Sequence, residues 1–291
     1  MENHPPFTSL PNFRDVGSFI NARTPKPVLK TGLLFRSARP DATSPQELAR
    51  LKSEYHITTQ IDLRTKTEHL EQLDKLSKSS PSKAPATRPK DPGLALAVQG
   101  LRYENVNLNG SSYSNSLLKE LSYLHVAKLA ALYAVGHRTS AISILGTNVM
   151  APSGLTGLAE RTLQTSTAEI GQLFRILADE KAWPVMIHCT QGKDRTGLSV
   201  LLILMLCGVG KEAIDADYMA TQGELVNERA ARVKEIESIG LPESFADCEK
   251  GWVGRVMSFI NDEKGGIEAY LTSCGVSKAE MEAVRGILLQ S

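Results

Sequence analysis

The chain has 291 residues, with 33 Lys and Arg against 32 Asp and Glu, and so a net charge of +1. Its 42% hydrophobic and 22% charged residues are those of an ordinary folded protein, which excludes disordered, collagen-like and disulfide-scaffold classes. The cancelled charge also argues against a polyanion binder, so no nucleic-acid partner is expected.

In chain order, Met1 to Leu10 is polar and carries no signal-like apolar core. Gly32 to Ala38 reads as a strand, and Ser44-Pro45 opens a helix to about Tyr55. Ile57 to Leu63 is a second strand. Ser77 to Pro92 has no aromatic residue, Leu, Ile or Val, so it reads as a mobile insertion. The alternative is a basic docking segment for an acidic partner. Leu101 to Leu108 alternates as a strand.

Ser116 to Val135 reads as one long apolar helix, with Lys119 and Lys128 on opposite sides. Leu155 to Glu180 reads as another, ended by Trp183-Pro184. Val185 to His188 is a short buried strand, with a helix from Arg195 to Cys207 behind it. The last ~80 residues read as helical throughout. Strands alternating with helices predict an α/β fold, a central and mostly parallel sheet flanked by helices. One elaborated domain over residues 1–291 accounts for the length.

Cys189, Cys207, Cys248 and Cys274 form no C-x-x-C pair and no zinc pattern, which predicts a reducing, cytoplasmic setting. Leu198 to Val209 is charge-free but only about half a membrane span, so no membrane span is expected.

The chemistry concentrates in Trp183 to Cys207, WPVMIHCTQGKDRTGLSVLLILMLC. A strand runs into a tight polar loop, then into an apolar helix. Cys189 and Arg195 stand in a C-x5-R spacing. Such a loop turns backbone N–H groups inward as an anion-binding nest, and the helix aims its positive end at the same centre. Gly192 permits the turn. Arg195 supplies a planar fork for two phosphate oxygens. These surroundings favour a cysteine thiolate. The implied reaction is two-step phosphoryl transfer through a phosphocysteine, with Thr190, Gln191, Gly192, Lys193 and Thr196 around the phosphate and the Thr196 hydroxyl donating to the sulfur. No metal or other cofactor is called for, because the loop itself neutralises the charge.

Several residues carry two readings. Asp194 is a helix cap or the general acid to the leaving oxygen. Asp62, ending its strand, is an ion-pair partner of Arg64 or Arg14, or the acid itself. Lys193 is a solvated lysine or a second cation for an extra phosphate. His188 is expected to hydrogen-bond the loop backbone and hold Cys189. Arg14 and Asp15 brace a turn rather than touch substrate.

The string HCTQGKDRTG between strand and helix resembles the loop of the cysteine-dependent tyrosine phosphatases. More narrowly, it resembles the atypical tyrosine/serine and phosphoinositide phosphatases. Asn12-Phe13-Arg14-Asp15-Val16-Gly17, Leu34-Phe35-Arg36-Ser37-Ala38, Ile61-Asp62-Leu63-Arg64 and Gly266 to Leu271 fit the same family. The resemblance implies a tyrosine-phosphatase-like fold, a helical lid within residues 116–180 and a helical C-terminal region. It also implies Asp194 as the acid, a role suggested as well by the similar loop of myotubularin lipid phosphatases. The implied substrate is a phosphoprotein, phosphotyrosine above all, with phosphoinositides as the alternative. A rhodanese-type sulfurtransferase would lack the GKDRTG continuation. A catalytically silent phosphate-binding module is the remaining class.

Overall fold

A computed structural model describes residues 5–79 and 89–290. The five strands are β1 (Arg14–Asp15), β2 (Leu34–Ser37), β3 (Thr59–Asp62), β4 (Arg102–Asn105) and β5 (Val185–His188). They form one sheet in the order β1-β2-β5-β3-β4. β1 is antiparallel to β2, and all other pairings are parallel. β5 is central and buried at every residue, the expected state of a strand covered on both faces. Its last residue, His188, is in register with Ser37 on one side and Asp62 on the other. The chain leaving β5 therefore emerges at the carboxyl edge of the parallel strands, where open α/β sheets place ligands.

The helices are α1 (Val16–Asn21), α2 (Pro45–Ser53), α3 (Lys66–Ser79), α4 (Ser111–Lys119), α5 (Tyr123–Ala134), α6 (Arg138–Leu145) and α7 (Ala151–Thr165). After these come α8 (Thr167–Leu177), α9 (Asp194–Leu206), α10 (Lys211–Glu224), α11 (Arg229–Ser238), α12 (Trp252–Ser258), α13 (Ile267–Ser273) and α14 (Lys278–Leu288). The mixed α/β class and the mostly parallel sheet are as the sequence predicts. α2 starts where expected, with the Ser44 hydroxyl accepting from the Glu47 amide at 3.2 Å. α9 is buried along most of its length and is the centre of the main core, between the sheet and the C-terminal helices.

Two expectations are corrected. The single helix over Ser116–Val135 is two, α4 and α5, because Ser122 leaves helical geometry and its hydroxyl accepts from the His125 amide at 3.3 Å. The single helix over Leu155–Glu180 is α7 and α8, parted at Ser166, whose hydroxyl donates to the Leu108 carbonyl. Serine competes with the helical ladder through such local and tertiary bonds, which an apolar pattern does not register. Of the insertion expected over Ser77–Pro92, residues 80–88 lie outside the described residues, and its first residues extend α3.

Candidate active site

The loop from Cys189 to Arg195 is held open from behind by its own carbonyls. The Thr190 carbonyl accepts from the Arg39 amide at 3.2 Å. The Gln191 carbonyl accepts from Asn12 Nδ2 at 3.2 Å. The Gly192 carbonyl accepts from Asn12 Nδ2 at 2.9 Å and from Arg36 at 2.6 Å. A trans peptide points its C=O and the next N–H in opposite directions. Tying these carbonyls outward therefore turns the amides of Gln191, Gly192 and Lys193 inward. The Gly192 N–H reaches Cys189 Sγ at 3.2 Å. Gly192 sits at φ +67°, and a Cβ there would lie 2.2 Å from the Ser37 carbonyl oxygen, so no other residue closes this loop.

The residues behind the loop form a charged brace. Asp217 on α10 binds Arg14 at 2.7 Å and Arg36 on its other oxygen. Arg14 also donates to Asn12 Oδ1, orienting the amide that grips the loop. Burial alone would raise the Asp217 pKa; the facing Arg36 and Arg14 outweigh it and hold the carboxyl below its usual range. Arg14 is thus a brace behind the loop, held by Asp217 and Asn12. Asp15 caps α1, accepting from the Ser18 amide.

His188 is fully buried, and burial lowers its pKa, so the ring is neutral. Its Nδ1 lies 3.2 Å from the Cys189 carbonyl, which can only accept, so Nδ1 carries the proton. Nε2 then accepts from Gln60 Nε2 at 2.8 Å. The ring holds the loop backbone at Cys189, the job expected from sequence.

Asp62 is fully buried and bound by Arg64 at 2.8 Å and His69 at 3.0 Å. Burial opposes its charge, but these partners outweigh it and keep the pKa well below the usual carboxylate range. It is absent from the cleft lining, whereas Asp194 lines it. Asp194 stands in the first turn of α9, where Lys193 rather than Asp194 occupies the cap position. Its Oδ1 is buried with no hydrogen-bond partner among the described residues, and the Lys193 ammonium lies 3.6 Å from it as an ion-pair partner.

Two sequence expectations fail in detail. Lys193 is neither solvated nor free: it is 1% exposed, and its ammonium donates to the carbonyls of Phe245 and Asp247 at 2.7 and 2.8 Å. It fastens the loop to the C-terminal region, and its charge faces Asp194 Oδ1 at 3.6 Å rather than open solvent. Thr196 is buried, but its hydroxyl has no hydrogen-bond partner among the described residues, so the expected bond to sulfur is not made.

Sequence reasoning missed Glu68. Its carboxylate takes Arg195 in a two-pronged grip at 2.7 and 2.6 Å, and also accepts from the Thr190 hydroxyl at 2.6 Å. Burial would raise the Glu68 pKa; Arg195 outweighs it and drives the carboxyl far below its usual range. Arg195 also donates to the Leu63 carbonyl at 3.2 Å. A guanidinium has five N–H donors. These contacts leave the Nε–H and one hydrogen of the adjacent terminal nitrogen, the side-on edge that fits two phosphate oxygens. Glu68 and Thr65 also cap α3 reciprocally, the Thr65 amide donating to Glu68 at 3.0 Å and the Glu68 amide to Thr65 Oγ1 at 3.3 Å. In sequence, Thr65-x-x-Glu68 signals only that cap. Asn12 and Arg36 stood out only as parts of segments that fit the family, with no role of their own, and Asp217 carried no signal.

Above this floor opens a cleft of about 860 Å³. Cys189, Thr190, Gln191, Asp194 and Arg195 form its base, and α3 supplies a polar wall. The opposite wall is apolar, with Tyr113 and Leu117 of α4, Ile142 and Leu145 of α6, Leu158 of α7 and Phe245. Residues 5–290 match the sequence model of the tyrosine phosphatase family. The chain belongs to that family. It is 32% identical over 161 residues to a tyrosine-protein phosphatase of Nostoc commune, covering 50% of this chain and 55% of that protein. It is 28% identical over 121 residues to the triple specificity protein phosphatase PtpB of Mycobacterium tuberculosis, covering 36% of this chain and 44% of that one. The chain thus spans about half the length of these curated relatives.

Proposed function

We propose that this family member hydrolyses phosphomonoesters through a phosphocysteine, with phosphotyrosine in proteins as the preferred substrate. The observation that carries the reading is the ring of inward amides around Cys189 Sγ, together with the unoccupied edge of Arg195. A phosphate seated there accepts from both. The thiolate attacks phosphorus and the P–O bond to the leaving group breaks. Asp194, on the cleft floor, gives its proton to the departing oxygen. Water then attacks the phosphocysteine, Asp194 takes back a proton, and the P–S bond breaks to release phosphate. Asp62 positions the carboxyl edge of the sheet, because Arg64 and His69 already hold both its oxygens.

The apolar wall favours an aromatic leaving group, since an aryl ring gains by contact with Tyr113 and Leu117. The words triple specificity in the name of the mycobacterial relative support more than one substrate class, and a phosphoinositide is the second class we propose. Lys193 would not hold the extra phosphate, because its ammonium is already bound.

The test is Cys189→Ser, assayed on phosphotyrosyl peptide, phosphoseryl peptide, phosphoinositide and aryl phosphate. Turnover is lost on every substrate, while phosphate-bearing ligands still bind. Rapid acid quench of the wild type traps one phosphate on Cys189. Wild-type turnover by the serine variant would end the phosphocysteine reading.

A further inference from the structure

α5 is built inside out. Its half-buried residues are His125, Leu129 and Leu132, spaced to face the body of the protein. Leu129 and Leu132 pack against the cluster of Tyr113, Leu117 and Ile144. The outward face carries Tyr123 at 97% exposure, Leu124 at 83% and Tyr133 at 57%, with Val135 at 68% just past the helix end. Alanines fill the space between them, and Lys128 is the helix's one Lys, Arg, Asp or Glu. Soluble proteins rarely leave a continuous apolar face to water unless something covers it.

Charge narrows what covers it. The chain contains 32 acidic residues, yet none falls from Leu121 to Ala159. Glu120, just before that stretch, is paired with Arg161. The face is therefore apolar, tyrosine-bearing and without an acidic residue of its own, with Lys128 exposed on the same helix and Lys119 exposed at the end of α4. We infer that α5 lies on an anionic lipid bilayer, its tyrosines at headgroup level and its lysines on acidic headgroups. No helix among the described residues is long and apolar enough to cross a membrane, so the contact is peripheral. α6, the other half of the same hairpin, lines the catalytic cleft through Thr139, Ile142 and Leu145. Docking on α5 therefore sets the cleft beside the lipid surface. The docking is independent of the catalytic reading, because vesicle binding needs no turnover.

The full chain is sedimented with vesicles of phosphatidylcholine alone and of phosphatidylcholine mixed with phosphatidylserine. It binds the mixed vesicles at least ~10-fold more tightly, and high salt reduces the difference. Leu124→Glu and Tyr133→Glu each weaken binding about 10-fold, the effect of withdrawing one buried apolar side chain. Both variants keep wild-type hydrolysis of a soluble aryl phosphate, which shows that they fold. Tyr123→Trp provides an independent readout, a blue-shifted fluorescence with anionic vesicles only. Absence of binding, equal binding by Leu124→Glu, or a wild-type dimer that Leu124→Glu splits into monomers would overturn the inference.

Discussion

Replacing Glu68 by Gln tests whether this carboxylate serves or blocks the site. The side chain keeps its shape but loses its charge, and its amide –NH₂ then faces the donors of Arg195, with which it cannot bond. The wild-type contacts broken are the pair at 2.7 and 2.6 Å, which fixes the guanidinium plane. Removing one partner of a buried ion pair costs about 3–5 kcal/mol. The lower end applies here, since the Glu68 side chain retains 28% exposure. At about 2 °C per kcal/mol for a chain of this size, Tm falls by about 6 °C. The larger effect is kinetic. Once released, Arg195 no longer holds its side-on edge toward the phosphate. A misplacement of about 1 Å costs ~10²-fold, so kcat/KM on an aryl phosphate falls by about that factor. Affinity for vanadate falls with it, and Glu68→Asp recovers part of both. Stopped kinetics with vanadate titration and calorimetry measure these effects. Unchanged or increased kcat/KM would refute the reasoning, because it would make Glu68 a competitor of the phosphate rather than its positioner.

Asp194→Asn cripples hydrolysis of serine or inositol phosphates by ~10²–10⁴-fold and spares an activated aryl phosphate; Asp62→Asn shows a loss independent of the leaving group, and the reverse pattern would make Asp62 the acid. Asp62, Glu68 and Asp217 are all held below the usual carboxylate range, so their stabilisation is complete above pH ~4 and is lost as pH falls through their folded values. The lowered pKa of His188 adds a gentler loss that begins near pH ~6.5, where the unfolded imidazole starts to bind protons. Calorimetry should therefore show Tm level above pH ~7, declining slightly and then steeply below pH ~4; a rise toward acid would contradict the ion-pair assignments. Alkylation or dilute peroxide at neutral pH modifies Cys189 first, since burial pushes the Cys207 thiol up to about 12 and Cys248 up to about 11; peptide mapping that finds Cys207 or Cys248 modified earlier would contradict this.

Chemistry carried by neighbours in the chain was legible from the sequence. The strand Val185–His188, the loop Cys189–Arg195 and the helix after it occupy adjacent positions, so the full string HCTQGKDRTG between strand and helix reads as an anion nest at a helix N-terminus. The strand pattern gave the α/β class for the same reason, since hydrophobic periodicity is local. Tertiary structure decided what distant residues do to that loop. Asn12 and Arg36 hold its carbonyls from more than 150 positions away, Glu68 holds Arg195 across 127, and the Phe245 and Asp247 carbonyls take up the Lys193 ammonium. Ser122 and Ser166 ended helices that an apolar pattern alone would have continued. A motif records which groups are present in sequence. Which way each amide, carboxylate or ammonium points depends on partners that meet only when the chain folds.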